Sequence, residues 1–235
     1  MQNLNDLEIF GLQHSSLQDF STSNTDASVQ VYFKNVESHL IQHIESADVV
    51  VGCVAWLTSP TILAALSKKS GVSIIVQKED WLRPDLDDRE NWKERHKSRY
   101  AHLPSSLTRL DLGLRDTVLR EMSYCKDPTL EAVRCVGNHN SEKVSAFPRM
   151  HHKFIVLCRE IAVKDNEYMN YAPYEVWTGS FNFTKNAGSS FENAVVLRDA
   201  TLAKAFLGEY AQVAALSEQL DWESEWIEPQ WRAGS

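Results

Sequence analysis

The sequence predicts an α/β domain with a central mixed β-sheet flanked by helices on both faces. Three observations carry that expectation. Residues 48–56 (DVVVGCVAW) and 72–77 are near-continuous apolar runs separated by a helical stretch, a strand–helix–strand unit that implies a parallel pair. Residues 150–157, 174–178 and 193–197 are three further apolar, β-branched runs of strand length. Residues 199–216 then form an amphipathic helix.

Taken in order, residues 1–28 are a polar N-terminal arm with a short apolar piece at 7–12. Residues 29–33 are a short strand. Val36, Leu40, Ile44 and Ala47 recur at helical spacing, so 34–46 is an amphipathic helix. Ser59 and Pro60 supply an N-cap and a first-turn proline for a second helix. That helix runs through Ile62, Leu63 and Leu66, with Gly71 as its expected stop. Residues 81–102 are crowded with charge, including Arg89, Lys93, Arg95, His96, Lys97 and Arg99. They read as a solvated helix laced with i,i+4 pairs, or as a lid or arm whose basic half touches phosphates. Residues 106–122 are a further helix, 131–136 a strand, 137–145 a loop and 159–173 a polar, hairpin-like insertion. Asp199 caps the last helix and places Leu202, Ala205, Phe206, Tyr210, Val213 and Leu216 on one side. The main domain is thus 29–217, followed by an acidic tail, 218–235, that carries Trp222, Trp226 and Trp231. That tail reads as packed, as partner-docking, or as a strand-mimicking guard.

The net charge of −8 argues against a protein coated by nucleic acid all over, but leaves room for a local basic cleft. The four cysteines, Cys53, Cys125, Cys135 and Cys158, have no close framework spacing. Cys53 and Cys158 sit in apolar runs as buried thiols, which favours a reducing, cytoplasmic setting. No leader pattern and no membrane-length apolar run is evident, so the protein is expected to act from solution, without a membrane.

The chemistry concentrates in residues 150–196. In a strand, residues two apart share a face, so His151 and Lys153 project together while His152, Phe154 and Val156 face the other way. Gly179-Ser180-Phe181-Asn182-Phe183-Thr184 is a turn whose Ser180, Asn182 and Thr184 can hydrogen-bond an anion. Glu192 stands at the mouth of the next apolar strand. Phosphodiester cleavage needs a nucleophile, a proton donor for the leaving oxygen, and fixed donors on the phosphoryl oxygens. A neutral histidine can attack, a protonated one can donate, and Lys153 is a point charge for the phosphoryl oxygens. Glu192 could hold a histidine ring through its second nitrogen, and Trp56 is core, cleft wall or a base-stacking surface. Two histidines are required, yet His-x-Lys occurs once. A two-fold homodimer would present it twice across one axis.

This ordered set resembles the phospholipase D superfamily, and most closely its small bacterial endonucleases with one His-x-Lys motif per chain. The resemblance rests on His151-x-Lys153, Gly179-Ser180-x-Asn182-x-Thr184 and Glu192-Asn193-Ala194-Val195-Val196, with Ala55-Trp56-Leu57-Thr58 similar to the family's first half. It implies a phospholipase D-like fold and a catalytic domain at 29–217 that works as a homodimer without metal or other cofactor. It further implies that His151 is nucleophile in one subunit and general acid in the other. Lys153, Ser180 and Asn182 would bind phosphate, and Glu192 would orient a His151. DNA is favoured over RNA as substrate. The family pattern HxKxxxxD has its aspartate where this chain has Cys158, and Glu160 or Asp165 are candidates to replace it. A phospholipid-cleaving hydrolase and a catalytically impaired relative that binds nucleic acid or a partner are the alternatives. A metal-free nuclease site needs restraint in a cell. A regulatory protein partner, the acidic tail or the 81–102 segment are the candidates for it.

Two other constellations carry less. Cys125, Cys135 and His139, with His151 or His152, lack the paired close spacing of a structural zinc site. Cys158 and His152 share a strand face, but are too far apart along it for a hydrogen bond.

Overall fold

Among the described residues, seven strands form one sheet in the order β1-β7-β6-β5-β2-β3-β4. The computed structural model describes residues 19, 21, 28–78, 91–105, 131–138, 148–162, 169–220 and 222. The strands are β1 (Val29–Tyr32), β2 (Val49–Val54), β3 (Gly71–Gln77), β4 (Val133–Val136), β5 (Lys153–Ala162), β6 (Met169–Gly179) and β7 (Ala194–Leu197). The helices are α1 (Val36–Glu45), α2 (Pro60–Leu66), α3 (Trp92–Ala101) and α4 (Ala200–Ala215). β2, β3 and β4 run parallel, whereas β5 pairs antiparallel with β2 and opens an antiparallel half through β6, β7 and β1. The sheet is mixed, as the sequence predicts.

The alternation of each strand sorts side chains into two cores. Val50, Val54, Ile74, Val76, Ile155, Leu157 and Trp177 meet α1, α2 and Tyr100 of α3 on one face. Val49, Val51, Cys53, Ile75, Phe154, Val156 and Cys158 meet α4 on the other. β2 is buried at every position because it is central and covered on both sides. Ser59 caps α2 by accepting the Ile62 N–H, with Pro60 in the first turn. Asp199 caps α4 by accepting from Thr201 N and Leu202 N.

Several expectations need correction. Gly71 does not stop α2: the helix ends at Leu66 with Ser67 as C-cap, and Gly71 opens β3. α4 buries Ala203, Leu207, Tyr210 and Ala211, while Leu202 and Leu216 face solvent. Phe206 and Val213 pack beside the buried residues as expected, and Ala205 is exposed with Leu202 and Leu216. α3 is not solvated all round. His96 Nε2 and Tyr100 Oη both donate to Leu57 O, at 3.2 and 2.6 Å, which ties its inner face to the loop after β2. Residues 1–18, 79–90, 106–130, 139–147 and 163–168 lie outside the described residues, and so do the readings made for them: the arm, Arg89, the 106–122 helix, Cys125, His139 and Asp165. Of the 159–173 segment, the described residues 159–162 and 169–173 continue the β5–β6 pairing, with Arg159 paired to Ala172 and Ala162 to Met169. Of the tail, Glu218 exchanges both backbone hydrogen bonds with Cys135, at 2.9 and 2.8 Å, and its carboxylate meets the Lys78 ammonium. Trp222 packs on Tyr100 at 5.9 Å between ring centroids. The start of the tail therefore covers the β4 edge, and residues 223–235 lie outside the described set.

A buried polar network ties β6 to α1 and β7. Glu175 is 2% exposed, with Oε1 2.6 Å from His43 Nδ1 and Oε2 accepting from Arg198 Nε at 2.7 Å. The other ring nitrogen of His43 lies 3.1 Å from Tyr32 Oη, which donates to Gln30 Oε1. Burial pushes the Glu175 carboxyl up, but His43 and Arg198 together outweigh it and hold the group below its ordinary value. A depressed carboxyl stabilises the fold above its unfolded pKa, and that stability is lost as pH falls through the lower folded value. Glu175→Ala should therefore cost about 3 kcal/mol in denaturant unfolding at neutral pH. It should also flatten the fall in stability below pH 4.5, the ordinary value for this group. Wild-type acid dependence in the variant would count against this account.

Candidate active site

Three strand ends converge at one edge of the sheet. Val54 pairs with Lys153, Phe154 with Thr178, and Gly179 with Ala194. The start of β5, the end of β6 and the start of β7 are thus neighbours, and the residues singled out from the sequence sit on or next to them.

β5 begins at Lys153, so His151 and His152 precede the regular ladder. Lys153 is buried and its Nζ lies 3.1 Å from His151 Nε2. The same Nζ donates to His151 O at 3.1 Å. An ammonium only donates, so Nε2 is the acceptor and the His151 ring is neutral with its proton on Nδ1. Trp56 walls this pair, its ring edge-on to His151 at 6.1 Å and 83°. His152 faces the other way, with Nε2 3.2 Å from Glu209 of α4 and its ring edge-on to Phe154 at 5.6 Å. The alternation expected of His151, His152 and Lys153 is present.

The opposite bank is the turn after β6. Gly179 has φ +153°, and a Cβ there would meet Asn193 O at 2.2 Å, so only glycine lets β7 approach this closely. Ser180 N–H donates to Asn193 O and Asn193 N–H to Ser180 Oγ, each at 3.0 Å. Ser180 Oγ donates to the Glu192 carboxylate. In the single chain Glu192 is thus held by Ser180. Asn182 Oδ1 is buried with no hydrogen-bond partner among the described residues. Thr184 Oγ1 accepts from Ala187 N at 3.2 Å and caps the short 3-10 turn Ala187–Ser189. The loop that carries Asn182 is stitched to the loop after β2: Phe183 N donates to Trp56 O, and Thr58 N and Ser59 N both donate to Phe183 O.

The electrostatics follow from burial and crowded positive charge. Burial lowers the Lys153 ammonium, Arg149 lowers it further, and the Glu192 carboxylate opposes both. Burial also lowers His151, followed by Lys153, Arg149 and His152. A neutral imidazole beside a cation is ready to attack phosphorus at neutral pH.

Two residues were missed. Arg149 adds a second cation, beside Lys153, in the same alternating series as His151 and Lys153, so the spacing was there to be read. Gln77, at the end of β3, accepts the Met150 N–H at 2.7 Å, and nothing in the sequence marks it.

Cys158 lies fully buried in the α4-side core, on the face opposite His151 and Lys153, where the β5–β6 register shifts. Its thiol is pushed up to about 12 by burial. Glu160 cannot serve the site in its place. It lies seven residues along β5 from Lys153, roughly 23 Å at strand rise. Among the described residues no group of three or more His, Cys, Asp or Glu could hold a metal ion.

The His151–Lys153 contact predicts its own titration. His151 followed by NMR should titrate below the ordinary 6.5, and Lys153→Met should move it upward. An unchanged value would mean that the ammonium does not face the ring.

A family model described as cardiolipin synthase, PLD-like domain, matches residues 40–214. An uncharacterized protein of Acanthamoeba polyphaga mimivirus is 31% identical over 212 residues, 88% of this chain and 72% of that protein. Among solved structures, the chain is similar to Nuc of Salmonella typhimurium, a phospholipase D family member, with 22% identity, a TM-score of 0.42 and coverage of 82% of this chain and 97% of that one. It is also similar to NucT from Helicobacter pylori, with 14% identity, a TM-score of 0.46 and coverage of 82% and 98%.

Proposed function

Because the chain belongs to the phospholipase D-like domain family, we propose that it is a metal-independent nuclease that cleaves DNA through a covalent phosphohistidine at a site completed by a second copy of the chain. The observation that carries this reading is the contact of a neutral His151 with the buried Lys153, at 3.1 Å, beside the Ser180–Glu192 turn. With substrate bound, the Lys153 ammonium turns from His151 Nε2 to the phosphoryl oxygens, the freed Nε2 of one copy attacks phosphorus, and the bond to the leaving nucleoside oxygen breaks. The His151 of the second copy, protonated, gives its proton to that oxygen. Water then attacks the phosphohistidine, the second histidine takes the water proton, and the N–P bond breaks to restore the first histidine.

Lys153, the Asn182 Nδ2 group and the Ser180 hydroxyl, once it releases Glu192, hold the phosphoryl oxygens, with Arg149 adding charge. The proton on His151 Nδ1 is free to meet a carboxylate, and Glu192 is the acid at hand to receive it. The unpartnered Asn182 Oδ1 is an acceptor and calls for a donor, so only the Nδ2 group of this amide can meet a phosphoryl oxygen. Trp56 forms a wall and Thr184 shapes the turn. Cys158 lies off this face, which supports chemistry that proceeds without the family's aspartate.

The free, buried Cys53, Cys135 and Cys158 support a reducing, cytoplasmic setting. A phospholipid substrate is the competing reading. No helix among the described residues is long and apolar enough to cross a membrane.

The test is cleavage of labelled single- and double-stranded DNA in excess EDTA. Wild type should cut, and His151→Ala and Lys153→Ala should each lose at least about a hundredfold. Cleavage of phosphatidylglycerol vesicles with DNA untouched would transfer the protein to the lipid reading. Salt-dependent DNA retention with no cutting by any variant would make it a binding module.

A further inference from the structure

The backbone of His151 lies outside the β5 ladder, so something other than sheet pairing must place it. Its anchors are few and specific. On one side, Ala55 N–H donates to His152 O at 2.8 Å. On the other, Met150 N–H donates to the Gln77 side-chain oxygen at 2.7 Å. Gln77 is fully buried at the end of β3. Its Nε2 donates to Lys78 O at 2.9 Å and Asn138 O at 2.8 Å, so the amide has one orientation: two carbonyls face its nitrogen and one N–H faces its oxygen. Its own backbone N–H donates to Ala55 O at 3.1 Å, which links the two anchors to each other. Asn138 Nδ2 donates in turn to Pro148 O at 3.0 Å. The space for the amide is kept by Gly137, at φ +106°, where a Cβ would stand 2.5 Å from Gln77 Oε1.

We infer that Gln77 is a positioning residue for the reaction: its buried amide clasps the exit of β4 to the entry of β5 and so holds His151 against Lys153. This rests on the phosphohistidine reading for its effect on turnover, but not for its effect on the ring. The single acceptor of the Gln77 amide is used on the residue next to His151. The oxygen of an amide is a directional acceptor, and losing it frees Met150 to rotate while Ala55 still holds the far side. A shift of about 1 Å at a reacting group can cost on the order of a hundredfold in rate.

The experiment uses Gln77→Met, which keeps the volume and removes both hydrogen-bonding functions, and Gln77→Glu, which keeps the acceptor for Met150 and, protonated in this buried position, one donor for the Lys78 and Asn138 carbonyls. Asn138→Ala, at an exposed position, loosens the same clasp through Pro148 without disturbing the core. Two quantities are read: the His151 titration by NMR, and kcat and KM for DNA cleavage in EDTA.

Gln77→Met should raise the His151 pKa toward the ordinary 6.5, as the ring leaves the ammonium, and lower kcat at least tenfold with KM nearly unchanged. Gln77→Glu should recover part of both, and Asn138→Ala should move both in the Gln77→Met direction by less. If Gln77→Met does not fold, Asn138→Ala carries the test. An unchanged His151 titration in the folded variants overturns the inference. If wild type cuts no DNA, the nuclease reading has failed and the titration still decides the clasp.

Discussion

The pleat of β5 is the constraint on which the rest of this structure depends. Its two-residue period sends Lys153, Ile155 and Leu157 toward α1 and α2, and Phe154, Val156 and Cys158 toward α4. His151 and His152 continue the same alternation ahead of the strand, one toward Lys153 and one toward Glu209. β5 also joins the two halves of the sheet, antiparallel to β2 on one side and to β6 on the other. A slip of one residue would exchange the two cores and turn His151 and Lys153 together away from Trp56 and Glu192, so stability and site geometry are set by one register. The polar network of Glu175, His43 and Arg198 acts on that register from β6, since Glu175 pairs with Leu157 just before the register shift.

The site is assembled from loops at one edge of the sheet, but those loops are fastened to one another. Phe183 accepts from Thr58 and Ser59 while its own N–H reaches Trp56 O. Ser180 and Asn193 exchange hydrogen bonds across the β6–β7 turn. Leu57 O receives His96 and Tyr100 from α3. Each of these satisfies a backbone group that would otherwise end a strand unpaired, so closing the sheet edge and shaping the site are the same set of bonds. This is why a residue whose side chain has nothing chemical to offer, such as Phe183, holds its neighbours through its backbone.

Much of this was legible in the sequence, for reasons that differ by element. β2 and β3 announced themselves through continuous apolar runs, and α2 through Ser59-Pro60, because burial on two faces and helix capping leave local marks. His151 and Lys153 were readable because alternation converts spacing into direction. α4 was placed correctly and Phe206, Tyr210 and Val213 pack on the core as expected, whereas Leu202, Ala205 and Leu216 face solvent and Ala203, Leu207 and Ala211 are buried in addition. Gly71 misled because a glycine after a helix marks a stop only when the helix reaches it, and this one ends at Leu66. Gln77 had no local signature. Its meaning lies in Met150 and Asn138, which the fold brings to it from distant positions in the chain.

The chemistry asks more of the pair of histidines than one chain supplies. Burial and the Lys153 charge favour the neutral ring, which suits the nucleophile and opposes the proton donor. On the homodimer reading, both copies of His151 begin in the same environment, so symmetry must be broken by what binds. A phosphodiester placed between them brings negative charge to both rings and raises both affinities for a proton. Once one ring is protonated, its charge opposes protonation of the other, and the pair titrates as a unit that holds one proton over a range of pH. The unprotonated ring is then the nucleophile by default. The substrate's own charge thereby assigns the two roles, and a chain with a single His-x-Lys motif can perform a reaction that needs an acid and a base at once.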